Sequence, residues 1–349
     1  MDTITHALSG ALAARAAAPA RAAQEALSPR ARIAAGFAAA AFPDADFALR
    51  LADTLTYLNW HQGPTHSLVL LPLWAWLLAH LFARIGRRRH AWRAFYPPAL
   101  LGIAAHIAGD LLTAYGTMLF APLSERRYSL PIAFALDPYF TAILAAGFAL
   151  ALARPQSRAP ALVALAVLGS YLGLQAALHQ RALRVAAEYA ATLGPDRAET
   201  YALAQPLTPF NWKLIVARGE DYHEAHVNLW RTRSLPAPGP GDGMLRRIAA
   251  GYQPVTAAHW RRHRRFGDEP SAAALARAAW NDDAFADFRR FAAFPVLHRV
   301  ETAEGRVCVR FVDLRFTLPG LAPSFQFGLC RGAAEGWRLE RVRGSFWID

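Results

Sequence analysis

The 349-residue chain is long enough for two domains and carries 38 basic against 26 acidic residues, a net charge of +12. The excess is shared evenly, +6 from residues 1–180 and +6 from 181–349, and it consists of scattered arginines, with Lys213 the single lysine. No basic stripe interleaved with aromatics is present, so no nucleic acid is expected as a partner, and anionic lipid head groups suit the short basic loops better.

In chain order, Thr3–Ala18 reads as an alanine-rich helix with Thr3 or Asp2 as N-cap. Asp2 and His6 stand where a secretory signal would carry basic residues, so no cleavable signal peptide is expected. Ala31–Phe42 suits a buried or half-spanning helix. Leu68–Ala83, Pro97–Pro122, Ile132–Ala153 and Ala159–Leu178 are strongly apolar, each near the ~20 residues of a bilayer span. Five arginines in Arg84–Arg93 favour the cytoplasmic side, and Arg154–Arg158 and Arg21–Arg32 agree. Threaded with those loops inside, His61–His66, Asp44, Asp46 and the Tyr115–Pro131 loop fall on the outer face, with His106 and Asp110 on the approach to it.

Beyond Leu183 the character changes. Leu183–Leu193, Leu245–Ala250 and Ala272–Phe294 read as helices, and the Trp280, Phe285, Phe288 and Phe291 stripe reads as core. Lys213–Ala217, His226–Trp230, Val307–Phe316, Ser324–Leu329 and Trp337–Arg343 have strand character. Cys308 and Cys330 are too few for a disulfide framework. Two unpaired core cysteines are the expectation, with one bridge open if that domain is extracytoplasmic. The expected fold is mainly α, a multi-pass helical membrane bundle over 1–180 followed by an α+β soluble domain over 181–349.

Four motifs carry chemistry. They are Asp2-Thr-Ile-Thr-His6, Phe42-Pro-Asp-Ala-Asp46, His61-Gln-Gly-Pro-Thr-His-Ser67 and His106-x-x-x-Asp110. A helix puts residues i and i+4 on one face, so His106 and Asp110 converge, and imidazole with carboxylate suits a divalent metal, zinc by preference. The bland alternative is a His–Asp hydrogen bond that locks packed helices. Only eight acids lie in residues 1–180, and Asp44, Asp46, Asp110 and Asp137 sit in or beside apolar segments, which favours metal binding.

These motifs, with Thr113-x-Tyr-Gly-Thr117, Ala121-Pro-x-Ser124, Arg126, Asp137-Pro-Tyr139 and the later Pro209-Phe-Asn-Trp212, resemble the YdjM-like inner-membrane-associated metal-dependent hydrolases of bacteria. The resemblance covers most of the first 180 residues. It implies a bacterial inner-membrane location and a distant similarity to zinc-dependent phospholipases C and single-strand nucleases. It also implies a ligand set of Asp44 or Asp46, His66, His106 with Asp110, and His6. A second His-x-x-x-Glu/Asp helix, which would complete a three-zinc cluster, is not found, although Asp137 or His61 is available as a substitute. Gln62 stands where many members have arginine, which bears on substrate anchoring.

The expectation is a membrane-bound, metal-dependent hydrolase of a phosphoester or lipid-linked substrate at the outer face. His6, Asp44, His61, His66, His106 and Asp110 are its metal ligands and Asp46 its general base. Arg126 and Arg127, with Thr65, hold the phosphate. Its partners are membrane lipids and a small-molecule or lipid substrate. The alternative is a non-enzymatic membrane scaffold or regulator with a structural metal; a metal or proton transporter fits less well, because the ionisable residues gather at one face.

Overall fold

The computed structural model describes residues 1–19, 27–86, 90–303, 305–323, 325–332 and 336–341. The chain divides into two compact units, Met1–Ala177 and Leu178–Asp349.

The first unit is helical: α1 (Thr3–Ala16), α2 (Pro29–Ala41), α3 (Thr54–Trp60), α4 (Leu71–Ile85), α5 (Trp92–Leu111), α6 (Pro138–Ala153) and the first part of α7 (Ala159–Thr192). Short polar residues fix the helix starts by accepting from orphan backbone N–H groups. Asp2 accepts from Thr5, Ser28 from Ala31, Asp53 from Thr56, and Asp137 from Tyr139 and Phe140, with Pro29 and Pro138 pre-setting the first turn of α2 and α6.

Helices α1, α2 and α5 meet at three glycines. A Cβ on Gly10 would lie 2.3 Å from the Ala40 Cβ and 2.6 Å from the Gly36 carbonyl oxygen. One on Gly36 would lie 2.5 Å from the Gly10 carbonyl oxygen, and one on Gly102 would lie 2.6 Å from that of Gly36. No other residue type fits at this junction without moving backbone.

The multi-pass bundle expected from hydropathy is overturned. Among the described residues one helix, α7, is long and apolar enough to cross a membrane. There are two if Thr54–His66 and Leu71–Ile85, bent by 80°, form one broken span. The Leu68–Ala83 segment yields a helix of 15 residues, about 22 Å, against a ~30 Å hydrocarbon core. The Ile132–Ala153 segment yields a helix of 16. Helix α5 is apolar because α1, α2 and α4 pack around it.

Two arginines read as topological signals are instead tied to helix ends: Arg32 donates to the Ala14 and Ala17 carbonyls and Arg158 to Ala18. Arg87, Arg88 and Arg89 of the expected cytoplasmic loop, and Arg21, lie outside the described residues.

The second unit begins within α7 and continues through β1 (Glu199–Ala204), β2 (Asn211–Arg218), β3 (Asp221–Asn228), α8 (Met244–Ala250), β4 (Gln253–Pro254) and β5 (Arg261–Arg264). After these come α9 (Pro270–Asn281), α10 (Ala286–Phe291), β6 (Pro295–Ala303), β7 (Arg306–Asp313), β8 (Gln326–Arg331) and β9 (Arg338–Arg341). One sheet runs β1-β2-β3-β4, with β5 also paired to β3; the other is the antiparallel meander β6-β7-β8-β9.

The expected Ala272–Phe294 helix breaks after Asn281, where Asp282 turns extended and caps a short 3-10 turn that leads into α10. Its aromatic stripe is core, with Trp280, Phe285 and Phe288 packing on Phe311. Cys308 and Cys330 face each other in the β7–β8 register and are joined by a disulfide, which corrects the expectation of free cysteines. Ser324 and residues 342–343 of the expected strands lie outside the described residues.

Buried charge pins β2 and β3 to the segment after β7. The Lys213 ammonium donates to the Leu314 and Thr317 carbonyls and sits 3.2 Å from Glu224, which also accepts from His263 at 3.0 Å. Burial and the Lys213 charge lower the His226 imidazole from its ordinary 6.5 to about 3. Burial alone would raise Glu224; Lys213 and the bond from His263 outweigh it and hold the carboxyl below its usual range.

Two outcomes follow. Gly36→Ala should destabilise the first unit by about 1–3 kcal/mol, whereas Gly173→Ala on α7, with nothing within 4 Å, should be neutral or stabilising; thermal melts of the two variants check this. At His226 and Glu224 the folded state binds fewer protons than the unfolded chain, so their stabilisation is full above about pH 6.5 and lost as pH falls toward 3. Calorimetric melts from pH 8 to 4 should show this fall, shallower in His226→Phe.

Candidate metal centre

Each helix of the glycine junction delivers a polar group to the centre about one or two turns from its glycine. His6 is four residues before Gly10 on α1, and His106 and Asp110 are four and eight after Gly102 on α5. On α2, Ala40 lies four after Gly36 and Asp44 eight after it, on the 3-10 segment Pro43–Leu51 that Pro43 opens. A second 3-10 turn, Pro64–His66, brings in His66.

Asp44, His66, His106 and Asp110 each present one ligand atom, all within 4.8 Å of one another. The Nε2 atoms of His66 and His106 are 2.9 Å apart, Asp110 Oδ2 lies 3.1 and 3.2 Å from them, and Asp44 Oδ1 lies 3.9 and 3.6 Å away. A tetrahedral ion with bonds of 2.0–2.1 Å has ligand separations of about 3.3 Å, the middle of this range. His66, His106 and Asp110 are buried and Asp44, at 15% side-chain exposure, is the open edge.

Proton bookkeeping decides what these atoms can bind. His106 Nδ1 lies 2.6 Å from the Ala40 carbonyl oxygen, which can only accept, so Nδ1 carries the proton and Nε2 a lone pair. Thr65 Oγ1 donates to Asp46 Oδ2 at 3.2 Å and accepts from His66 Nδ1 at 2.9 Å, so the network gives His66 Nε2 a lone pair as well. Asp110 Oδ2 is buried without a hydrogen-bond partner. Three lone-pair atoms therefore converge with no proton between them, an arrangement that a cation relieves.

The surrounding residues orient the ligands. Thr3 donates to Asp44 Oδ2 at 2.5 Å. Asp110 Oδ1 accepts from His6 Nε2 at 3.0 Å and from the Met1 amino group at 2.5 Å. The His6 ring stacks on His106 at 3.7 Å, and burial lowers it to about 4, so it is neutral. Gly109 makes room for it, since a Cβ there would lie 3.0 Å from the ring.

The other sequence candidates take different places. Asp46 is occupied by His61 Nδ1 at 2.8 Å, the Gln62 amide and Thr65, so it orients two histidines instead of standing free as a base, and His61 faces Asp46 instead of joining the four-atom group. Asp137 caps α6 and accepts from Tyr171, which removes it as a ligand. The Arg127 guanidinium donates to the Asn59, His61 and Gly116 carbonyls and lies over Tyr115; it holds a loop and is no phosphate clamp. Arg126 is exposed and lies over Tyr128. Gln62 is buried, with its side chain accepting from Thr117.

Sequence reasoning missed Thr3 and the junction glycines. The His6-x-x-x-Gly10 and Gly102-x-x-x-His106 spacings were the available signal for the glycines. A second group, Cys308, Cys330 and Glu340, also clusters, but its sulfurs are joined to each other.

The uncharacterized protein YfhP of Bacillus subtilis (strain 168) is 29% identical over 100 residues, 28% of this chain and 29% of the relative. The chain thus matches less than a third of that relative's length. No solved structure matches. The family described as YdjM inner membrane protein matches residues 1–182, half of the chain, and the protein belongs to that family.

Proposed function

We propose that the protein is a membrane-associated hydrolase that holds one divalent, zinc-type ion between Asp44, His66, His106 and Asp110 and acts on a phosphoester, free or lipid-linked. The observation that carries the reading is the convergence of two proton-free Nε2 atoms on the orphaned Asp110 Oδ2. Bound there, the ion would supply Lewis-acid polarisation of a substrate oxygen and acidify water toward a pKa of ~7. The distant resemblance that the sequence motifs imply, to zinc-dependent phospholipases C and single-strand nucleases, points to the same chemistry.

The chain's own residues set the rest. Substrate enters past Asp44, the one partly exposed ligand. Asp46 accepts the Nδ1 proton of His61, which leaves the His61 Nε2 lone pair to take a proton from the attacking water; His61 thus replaces Asp46 as general base. Arg126, exposed on the 115–131 loop, is the remaining candidate for the phosphate. Membrane contact is supported by the outward apolar side chains of α4 and α7, Trp76, Leu77, Leu81, Leu162, Val163 and Val167. The Cys308–Cys330 bond supports an oxidising compartment for the second unit.

A second reading is that the ion is structural, with no turnover. The observation in its favour is the complete set of four protein ligands, which fills a tetrahedral site.

Elemental analysis of detergent-purified protein should find about one zinc-type ion per chain, lost in His106→Ala. Thr65→Val, which breaks the link from Asp46 to His66, should weaken metal binding about 10–100-fold. Hydrolysis of bis(p-nitrophenyl) phosphate or of phospholipid vesicles should fall at least ~100-fold in His61→Gln with metal content unchanged. Metal present without hydrolysis of either probe would establish the structural reading, and protein without metal would overturn both.

A further inference from the structure

The second unit holds a cavity of about 700 Å³, within the ~300–1,000 Å³ typical of small-ligand sites. Side chains alternate across a strand, so Tyr222, Glu224 and His226 of β3 share one face. The register places Lys213 of β2 opposite His226, and Arg261 and His263 of β5 opposite Glu224 and Tyr222, on the same face. Glu224, His226, Arg261 and His263 line the cavity.

Part of this charge is settled internally. Lys213 donates to two carbonyls and to the Thr317 hydroxyl and neutralises Glu224, whose other oxygen takes His263. What remains faces the cavity. Arg261 forms no ion pair among the described residues, whereas His226 Nε2 is closed off from solvent and lies 3.7 Å from Glu224 Oε1. A bulge in β6 between Leu297 and Arg299 lets the consecutive Leu297 and His298 both line the space. The facing wall is apolar, with Val296, Leu314, Leu318 and Leu321.

We propose that this cavity binds a small amphiphilic anion, its carboxylate or phosphate head pairing with Arg261 while its apolar body lies against Leu318 and Leu321. The site is built without any residue of the metal centre, and its occupancy does not depend on hydrolysis there. An uncompensated guanidinium at the cavity wall selects negative charge, and the apolar wall favours a ligand with an apolar body.

Calorimetric titration of the full chain in detergent with phenyl phosphate, benzoate, inorganic phosphate and neutral benzyl alcohol tests this. At least one of the two aromatic anions should bind at least tenfold more tightly than benzyl alcohol and than inorganic phosphate, and the tighter of the two identifies the head group. Arg261→Gln, at an exposed position, should weaken that binding at least tenfold, while His106→Ala leaves it unchanged. Benzyl alcohol binding as tightly as both anions, no binding of either anion, or affinity that survives Arg261→Gln and falls in His106→Ala would overturn the proposal.

Discussion

The close helix approach at Gly10, Gly36 and Gly102 sets the positions on which the chemistry of the first unit depends. Three helices can touch there only because no side chain intervenes. One or two turns further along, each helix delivers a polar group: His6 from α1, the Ala40 carbonyl and Asp44 from α2 and the turn after it, His106 and Asp110 from α5. The junction thus acts as a ruler. A widening of a few tenths of an ångström at the glycines would carry over to the 2.9–3.9 Å separations of the ligand atoms.

Around the ligands the chain places acceptors on the far nitrogen of each imidazole, so that both near nitrogens are stripped of protons. For His106 the acceptor is a helix-terminal carbonyl left unpaired by the end of α2; for His66 it is a threonine hydroxyl ordered by Asp46. In the neutral ring a packing hydrogen bond from His106 to Asp110 would need the proton on Nε2, whereas the Ala40 carbonyl favours the tautomer that carries it on Nδ1. That distinction separates a metal centre from a structural His–Asp pair in the same fold.

Much of this was legible in the residues and part was not. His106 and Asp110 announce their shared face by four-residue spacing, and Asp44 and His66 stand out as polar residues beside prolines in apolar surroundings. The rotation of Asp46 away from the cluster was not legible, because it depends on the 3-10 geometry of Pro43–Leu51 and on Gln62, which adopts a left-handed φ of 59°. The role of Arg127 was hidden for a similar reason, since backbone carbonyls leave no trace in a sequence motif. Hydropathy misled the membrane reading: a helix wrapped by other helices, as α5 is, is as apolar as one wrapped by lipid. In the second unit the β7–β8 register decided the pairing of Cys308 with Cys330, and spacing alone could not supply that register.

The central claim is that His66, His106, Asp44 and Asp110 jointly hold one ion. X-ray absorption spectroscopy at the zinc edge on the purified full chain tests it most directly. The account predicts a first shell of two imidazole nitrogens and two carboxylate oxygens, with bonds of about 2.0–2.2 Å, that disappears in His106→Ala. A shell without imidazole scattering, or one unchanged in that variant, would contradict it.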